Sequence, residues 1–224
     1  MKKEELKIKI DNCFKNSEQI LIDIGELIPM LDIEFTDDKD EKSIVAVVLA
    51  TGESKQVRDT FIRGLGLTFG LIKQTGKIKE VRCVAMMSEG WFSSLPKGSD
   101  ISKAPLPSQD PNRREMLIAT GLTADGICLM RAKEMFSVEV KGKRHFTLND
   151  LPEMNKGFDD GKAESNVLNN FFDGYKKPAE KSQELEMFKN VFASFSLDEI
   201  LEKSIKVLTQ RVGGLNSEFI NYKK

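Results

Sequence analysis

Ile44-Val45-Ala46-Val47-Val48-Leu49-Ala50 is an unbroken apolar run, rich in valine and short enough for a strand. With no polar alternation it reads as a strand covered on both faces, and therefore as a central one. Downstream, Val57, Phe61, Leu65, Phe69 and Ile72 fall on one stripe, which predicts a helix from Lys55 to Gln74 with Gly76 as its stop. From Ile78 the period changes to two, and Val81, Cys83, Ala85, Met87, Glu89 and Trp91 share one face of the longest strand pattern. Val84 and Met86 make its other face apolar as well. Strand, helix and strand together form one crossover unit.

Upstream, Ile10, Phe14, Ser17, Leu21, Ile24, Ile28 and Leu31 recur three or four apart, so residues 3 to 30 read as an amphipathic helix ended by Pro29. The acidic run Asp37-Asp38-Lys39-Asp40-Glu41 reads as a solvated linker; it lacks the Gly at the sixth position and the Glu at the twelfth that an EF-hand requires. Farther along, Glu115 to Gly121 and Ile127 to Val138 read as antiparallel strands joined at Ala124-Asp125-Gly126, where Asp-Gly signals a hairpin. Three helical stretches close the chain. They are Ser165 to Tyr175, Ala179 to Phe195, and a helix opened by the capping box Ser196-Leu197-Asp198-Glu199 and ended at Gly213-Gly214. The expectation is an α+β fold: a four-stranded, mostly antiparallel sheet with the N-terminal and crossover helices in residues 1–150, then a helical extension in 151–224.

At 224 residues, 40% hydrophobic and 31% charged, the chain has the composition of an ordinary globular protein. The net charge of −1 hides a pattern: residues 1 to 50 carry 7 basic against 12 acidic side chains, 51 to 150 carry 16 against 11, and 151 to 224 carry 11 against 12. The mildly basic middle falls short of the concentrated patch of a dedicated nucleic-acid binder. Cys13, Cys83 and Cys128 are widely spaced among apolar residues, as buried thiols are, with no CxxC pair. The N-terminus reads as an amphipathic pattern rather than a signal peptide, and no apolar run approaches membrane-spanning length, so a cytoplasmic protein is expected.

Nucleotide and nucleophile motifs fail on spacing or context. In Gly64-Leu65-Gly66-Leu67-Thr68-Phe69-Gly70 the glycines fall inside the helix rather than in a strand-to-helix turn, which favours close helix packing over a GxGxxG loop. Thr51-Gly52-Glu53-Ser54-Lys55 lacks the Gly-Lys-Ser/Thr ending of a phosphate loop, leaving Thr51 or Ser54 as a helix cap. The lone His145, in the basic turn Lys141-Gly142-Lys143-Arg144-His145, supports neither a multi-histidine metal site nor a triad. No cofactor is expected.

What remains is the stretch Ser93 to Asn112, which holds four of the seven prolines and has no helix or strand pattern. If the strands on either side are neighbours, Glu89 and Trp91 face Arg113 and Glu115 across them. With Asp110 these form the candidate site. A structural reading pairs Arg113 with Glu89 beneath a tryptophan that plugs the core edge. A functional one makes Glu89 or Glu115 a base or metal ligand and Arg113 an anion holder. Glu89-x-Trp91 followed by Pro107-Ser108-x-x-Pro111-x-Arg113-x-Glu115 resembles the signature of a loose group of small uncharacterised microbial and phage proteins over about residues 40 to 140. The resemblance implies a recurring strand, helix, strand, loop and hairpin module and no activity; Gly90 stands where that pattern has alanine.

The favoured function is a non-enzymatic binding or assembly module, with a protein partner or a second copy held by the Trp91 loop or by helices carrying Phe171, Phe172, Phe188 and Phe192. The alternatives are a carboxylate- or metal-dependent hydrolase such as a phosphoesterase at the same loop mouth, and a nucleic-acid-binding module using Lys141, Lys143 and Arg144.

Overall fold

The structure is a computed structural model and describes residues 1–49, 54–93, 100, 109–152, 155, 165–177, 183–212 and 217–222. Most of the proline-rich stretch, residues 51–53 and Gly213-Gly214 lie outside the described residues.

Helix α1, Lys3–Ile24, stops short of Pro29: Gly25 takes a left-handed φ of 87° and its N–H closes on the Leu21 carbonyl at 2.9 Å. The next apolar residues alternate, Leu31, Ile33 and Phe35, and form β1, Met30–Asp37. The acidic run is therefore a tight hairpin turn and not a linker. Asp37 Oδ1 accepts the N–H groups of Lys39 and Glu41 at 2.9 and 2.8 Å, and Asp40 sits at φ 66°.

The turn leads into β2, Lys42–Val48. Ser54 then caps α2, Lys55–Gln74, by accepting the Val57 N–H at 3.3 Å. Strand β3, Ile78–Phe92, and β2 are both antiparallel to β1, which lies between them; the crossover unit is thus split by a strand. A meander follows, of β4 (Arg114–Thr123), β5 (Cys128–Val140) and β6 (Lys143–Asp150). The β4–β5 turn is the one expected at Ala124-Asp125-Gly126, with Gly126 at φ 90°. Then come α3 (Asn166–Tyr175), α4 (Gln183–Phe192), α5 (Leu197–Val212) and β7 (Glu218–Tyr222).

Among the described residues the fold is α+β with an antiparallel sheet of seven strands, in the order β6-β5-β4-β3-β1-β2-β7, rather than four. The run at 44–50 is consequently not central, for β2 is one strand from an edge. Nor are the helices confined to the two ends of the chain. On one face α1 packs Leu6, Ile10 and Phe14 against Cys83, Met87, Leu117 and Leu129. On the other, α2, α3 and α5 bury Phe61, Phe69, Phe171 and Leu201 with Leu31, Phe35 and Val45. The C-terminal segment shares this core: the Tyr175 hydroxyl accepts the Val81 N–H at 3.1 Å, and β7 pairs with β2.

One face assignment changes. Between Glu34↔Cys83 and Phe35↔Val81 the register slips, and the extra residue is Arg82. This β-bulge turns Val81 to the α2 face while Cys83 stays beneath α1. It also aims Arg82 toward Glu34 and Glu5.

Candidate functional site

The strand ends flanking the proline-rich stretch converge. Trp91 pairs with Glu115 and Glu89 with Leu117, so Glu89, Trp91 and Glu115 share the α1 face, and Phe92 and Arg114 the other. Trp91 is 51% exposed, and the Arg113 guanidinium stacks over its ring at 5.5 Å. On the opposite face Arg114 lies over Phe92 at 5.4 Å and within 3.4 Å of Glu134. Asp110 organises the approach to β4. Its Oδ1 accepts the Asn112 N–H at 2.8 Å and its carbonyl accepts the Arg113 N–H at 3.1 Å. That Asn112 amide, with Arg113 nearby, holds the Asp110 carboxyl below the usual range.

Glu89 does not pair with Arg113. Its Oε1 accepts the Leu27 N–H at 3.1 Å, tying the chain that leaves α1 to the end of β3. The carboxylate has a structural partner, which predicts how its variants behave. Glu89→Ala leaves a half-buried amide without its acceptor and is expected to lower stability by about 1–2 kcal/mol, while Glu89→Gln, which keeps an acceptor oxygen, recovers most of it. Denaturant midpoints decide this; equal losses in the two variants would show that charge, not the hydrogen bond, is what Glu89 supplies.

Among the described residues no three His, Cys, Asp or Glu side chains are grouped to hold a metal ion. No described helix is long and apolar enough to cross a membrane. The three cysteines are buried, and burial pushes the Cys13 and Cys83 thiols up to about 12 and Cys128 to about 11. As ordinary thiols at neutral pH they lack the thiolate that nucleophilic chemistry needs.

The phenylalanines part company. Phe171 and Phe172 are core residues, 0% and 4% exposed, with nothing to offer a partner. Phe188 and Phe192 contact each other at a centroid distance of 4.7 Å and pack, half-buried, against the core, while Met187 and Val191 on the same helix are exposed.

Two features escape a sequence reading. The first is a polar cluster beneath α1, where Glu34 binds both Lys9, at 3.4 Å, and Arg82, and Cys13 Sγ lies 3.5 Å from Asp32. Burial raises the Asp32 pKa, against the pull of Lys9. Lys9 is itself raised: burial opposes its charge, and the carboxyl groups of Asp32 and Glu34 beside it favour that charge.

The second is an arm. The β4–β5 pairing ends at Glu115↔Met135, but β5 and β6 continue together to Val140↔Lys143. Lys141 and Gly142, at φ 55° and 75°, close it as a two-residue turn with both residues left-handed. His145 is therefore an exposed strand residue opposite Val138, not part of a turn. On one flank of the arm Phe136, Val138 and Val140 are 47%, 63% and 48% exposed. Positions 141, 143 and 144 fall at the turn and the first residues of β6, and the side chains of Lys143 and Arg144 lie outside the described residues. Alternation of apolar and polar residues from Phe136 to Val140 was the available signal for the arm.

Compared with protein-family models, curated proteins and solved structures, the chain matches none.

Proposed function

We propose that this chain is a non-enzymatic binding or assembly module whose contact element is the β5–β6 arm. The observation that supports the reading is the arm itself, a ribbon running past the end of β4 with three consecutive outward apolar side chains on one flank. Apolar surface gathered on a projecting element marks a protein contact more often than it marks idle surface. The stacked Trp91–Arg113 pair at the arm's base adds the residue types that dominate protein interfaces. Glu89 and Asp110 are engaged in backbone hydrogen bonds, which favours binding over carboxylate catalysis at this end of the sheet.

The test shortens the arm without breaking the sheet. Replacing residues 137–146 by Asn-Gly joins Phe136 to Thr147, a facing pair that a two-residue turn can close. The shortened chain is expected to keep its circular dichroism spectrum and thermal unfolding transition but to lose the concentration-dependent association of the full chain in sedimentation velocity. Association that survives the shortening, or a full chain that stays monomeric at every concentration, would refute the reading.

A further inference from the structure

The arm has a flank, but it also has an edge. Among the described residues strand β6 ends the sheet; no proline interrupts Lys143–Asp150 and its register with β5 runs without a bulge, and the charges that could blunt this edge sit near its two ends, Lys143 and Arg144 at one and Asp150 at the other. In a two-residue hairpin the pair flanking the turn exchanges both backbone hydrogen bonds, so Val140↔Lys143 fixes the phase of the ladder. Residues 143, 145, 147 and 149 then turn their N–H and C=O groups inward to β5, while 144, 146, 148 and 150 turn theirs outward. Asn155 supports the same phase. Its side chain takes the N–H and C=O of Ala132 at 2.9 and 3.1 Å, just where β6 has run out and β5 needs a partner on that side.

We infer that two copies of the chain associate by antiparallel pairing of their β6 edges about a two-fold axis through Thr147, making one continuous sheet across both. This rests on the assembly reading above and names its partner as a second copy.

The register follows from symmetry and chemistry. A two-fold axis normal to the sheet keeps its faces continuous, so facing residues must have the same parity. An axis at Thr147 pairs 146 with 148 and 144 with 150 in both directions, using every outward-facing residue of the strand. Phe146 and Leu148, half-buried against the α1-face core, then continue that apolar face into the copy. Residue 144, an arginine in the sequence, comes into register with residue 150, an aspartate. Moving the axis to residue 146 sets Leu148 opposite position 144 and Asp150 opposite Gly142, and loses both matches. The other edge, β7, offers only five residues.

Thr147 tests the inference because it is exposed in the single copy and meets its own counterpart in the pair. Thr147→Lys places two like charges face to face on the axis. It is expected to weaken self-association about tenfold or more, measured by sedimentation equilibrium, with an unchanged thermal midpoint for the isolated chain. Thr147→Cys sets two thiols at a pair that exchanges no hydrogen bonds, where side chains lie closest. Treated with diamide it is expected to run at twice the monomer mass on a non-reducing gel, the native cysteines being buried. If the full chain associates, yet Thr147→Lys associates as tightly and Thr147→Cys fails to crosslink, the β6 pairing is wrong while the assembly reading stands. A full chain that remains monomeric throughout overturns both.

Discussion

Gly66→Ala is expected to destabilise the protein by about 3 kcal/mol, although alanine is the better helix former by about 1 kcal/mol in a helix interior. Helices α2 and α3 meet backbone to backbone at this residue. A Cβ on Gly66 would stand 1.9 Å from the Phe171 carbonyl oxygen, and one on Gly174, across the same contact, 2.1 Å from the Arg63 carbonyl oxygen. Neither obstacle is a side chain that can swing away, so the helices must separate. Phe171 and Tyr175, which fill the space beside the contact, would be drawn out of their packing with Phe69 and Val81.

Gly64 supplies the control from the same helix. Its Cβ would meet the Leu208 Cδ2 at 2.5 Å, the movable end of a flexible chain, so Gly64→Ala should fall within about 1 kcal/mol of wild type. Gly174→Ala should match Gly66→Ala. The double variant should cost less than the sum, because one separation relieves both clashes. Equal midpoints for the Gly64 and Gly66 variants in urea unfolding would remove the close-contact account.

That contact was legible in the sequence, because glycines at 64, 66 and 70 inside a strongly periodic segment have few other uses. So were the Ser54 cap, the capping box at Ser196 and Glu199, and the hairpin at Asp125-Gly126, each a signal written within a few neighbouring residues. Strand β1 was not. Ile24, Ile28 and Leu31 continue the helical spacing of α1, and the alternation of Leu31, Ile33 and Phe35 is masked by Asp32 and Glu34, carboxylates that read as solvent-facing. Their burial depends on Lys9 and on a bulge at Arg82, partners distant in sequence. Strand β6 was hidden because its turn is Lys141-Gly142, and lysine gives no warning of a left-handed φ. Strand β7 is five residues long and has meaning only beside β2.

At the candidate site the register of Glu89, Trp91 and Glu115 was legible from strand periodicity. The partners were not, since Glu89 turns to Leu27, on a segment read as helix. The arm follows the same logic. Its residues were read as the end of one strand and a basic turn, and only the pairing of β5 with β6 shows that they project together.

Glu34→Ala is the other large expected effect, and its argument is electrostatic. Glu34 and Lys9 are only 8% and 9% exposed, and one carboxylate serves two cations, Lys9 on α1 and Arg82 on the bulge. Removing it leaves two positive charges together in a poorly solvated place, which typically costs about 3–5 kcal/mol. The lower half of that range is expected. Glu5 also holds Arg82, at 3.1 Å, from a more exposed position, and Asp32 lies near Lys9; both soften the loss. Glu34→Gln should fall between alanine and wild type, since it keeps a hydrogen-bond acceptor and gives up the charge. The triple change Lys9→Met, Glu34→Leu and Arg82→Met removes the charges together and should return to within about 2 kcal/mol of wild type, because the desolvation of all three groups is removed along with their attraction. Denaturant unfolding of the three variants separates the accounts. If the triple change is as damaging as Glu34→Ala, the cluster holds α1 to the sheet by shape, and the bulge that delivers Arg82 is there for packing rather than for charge.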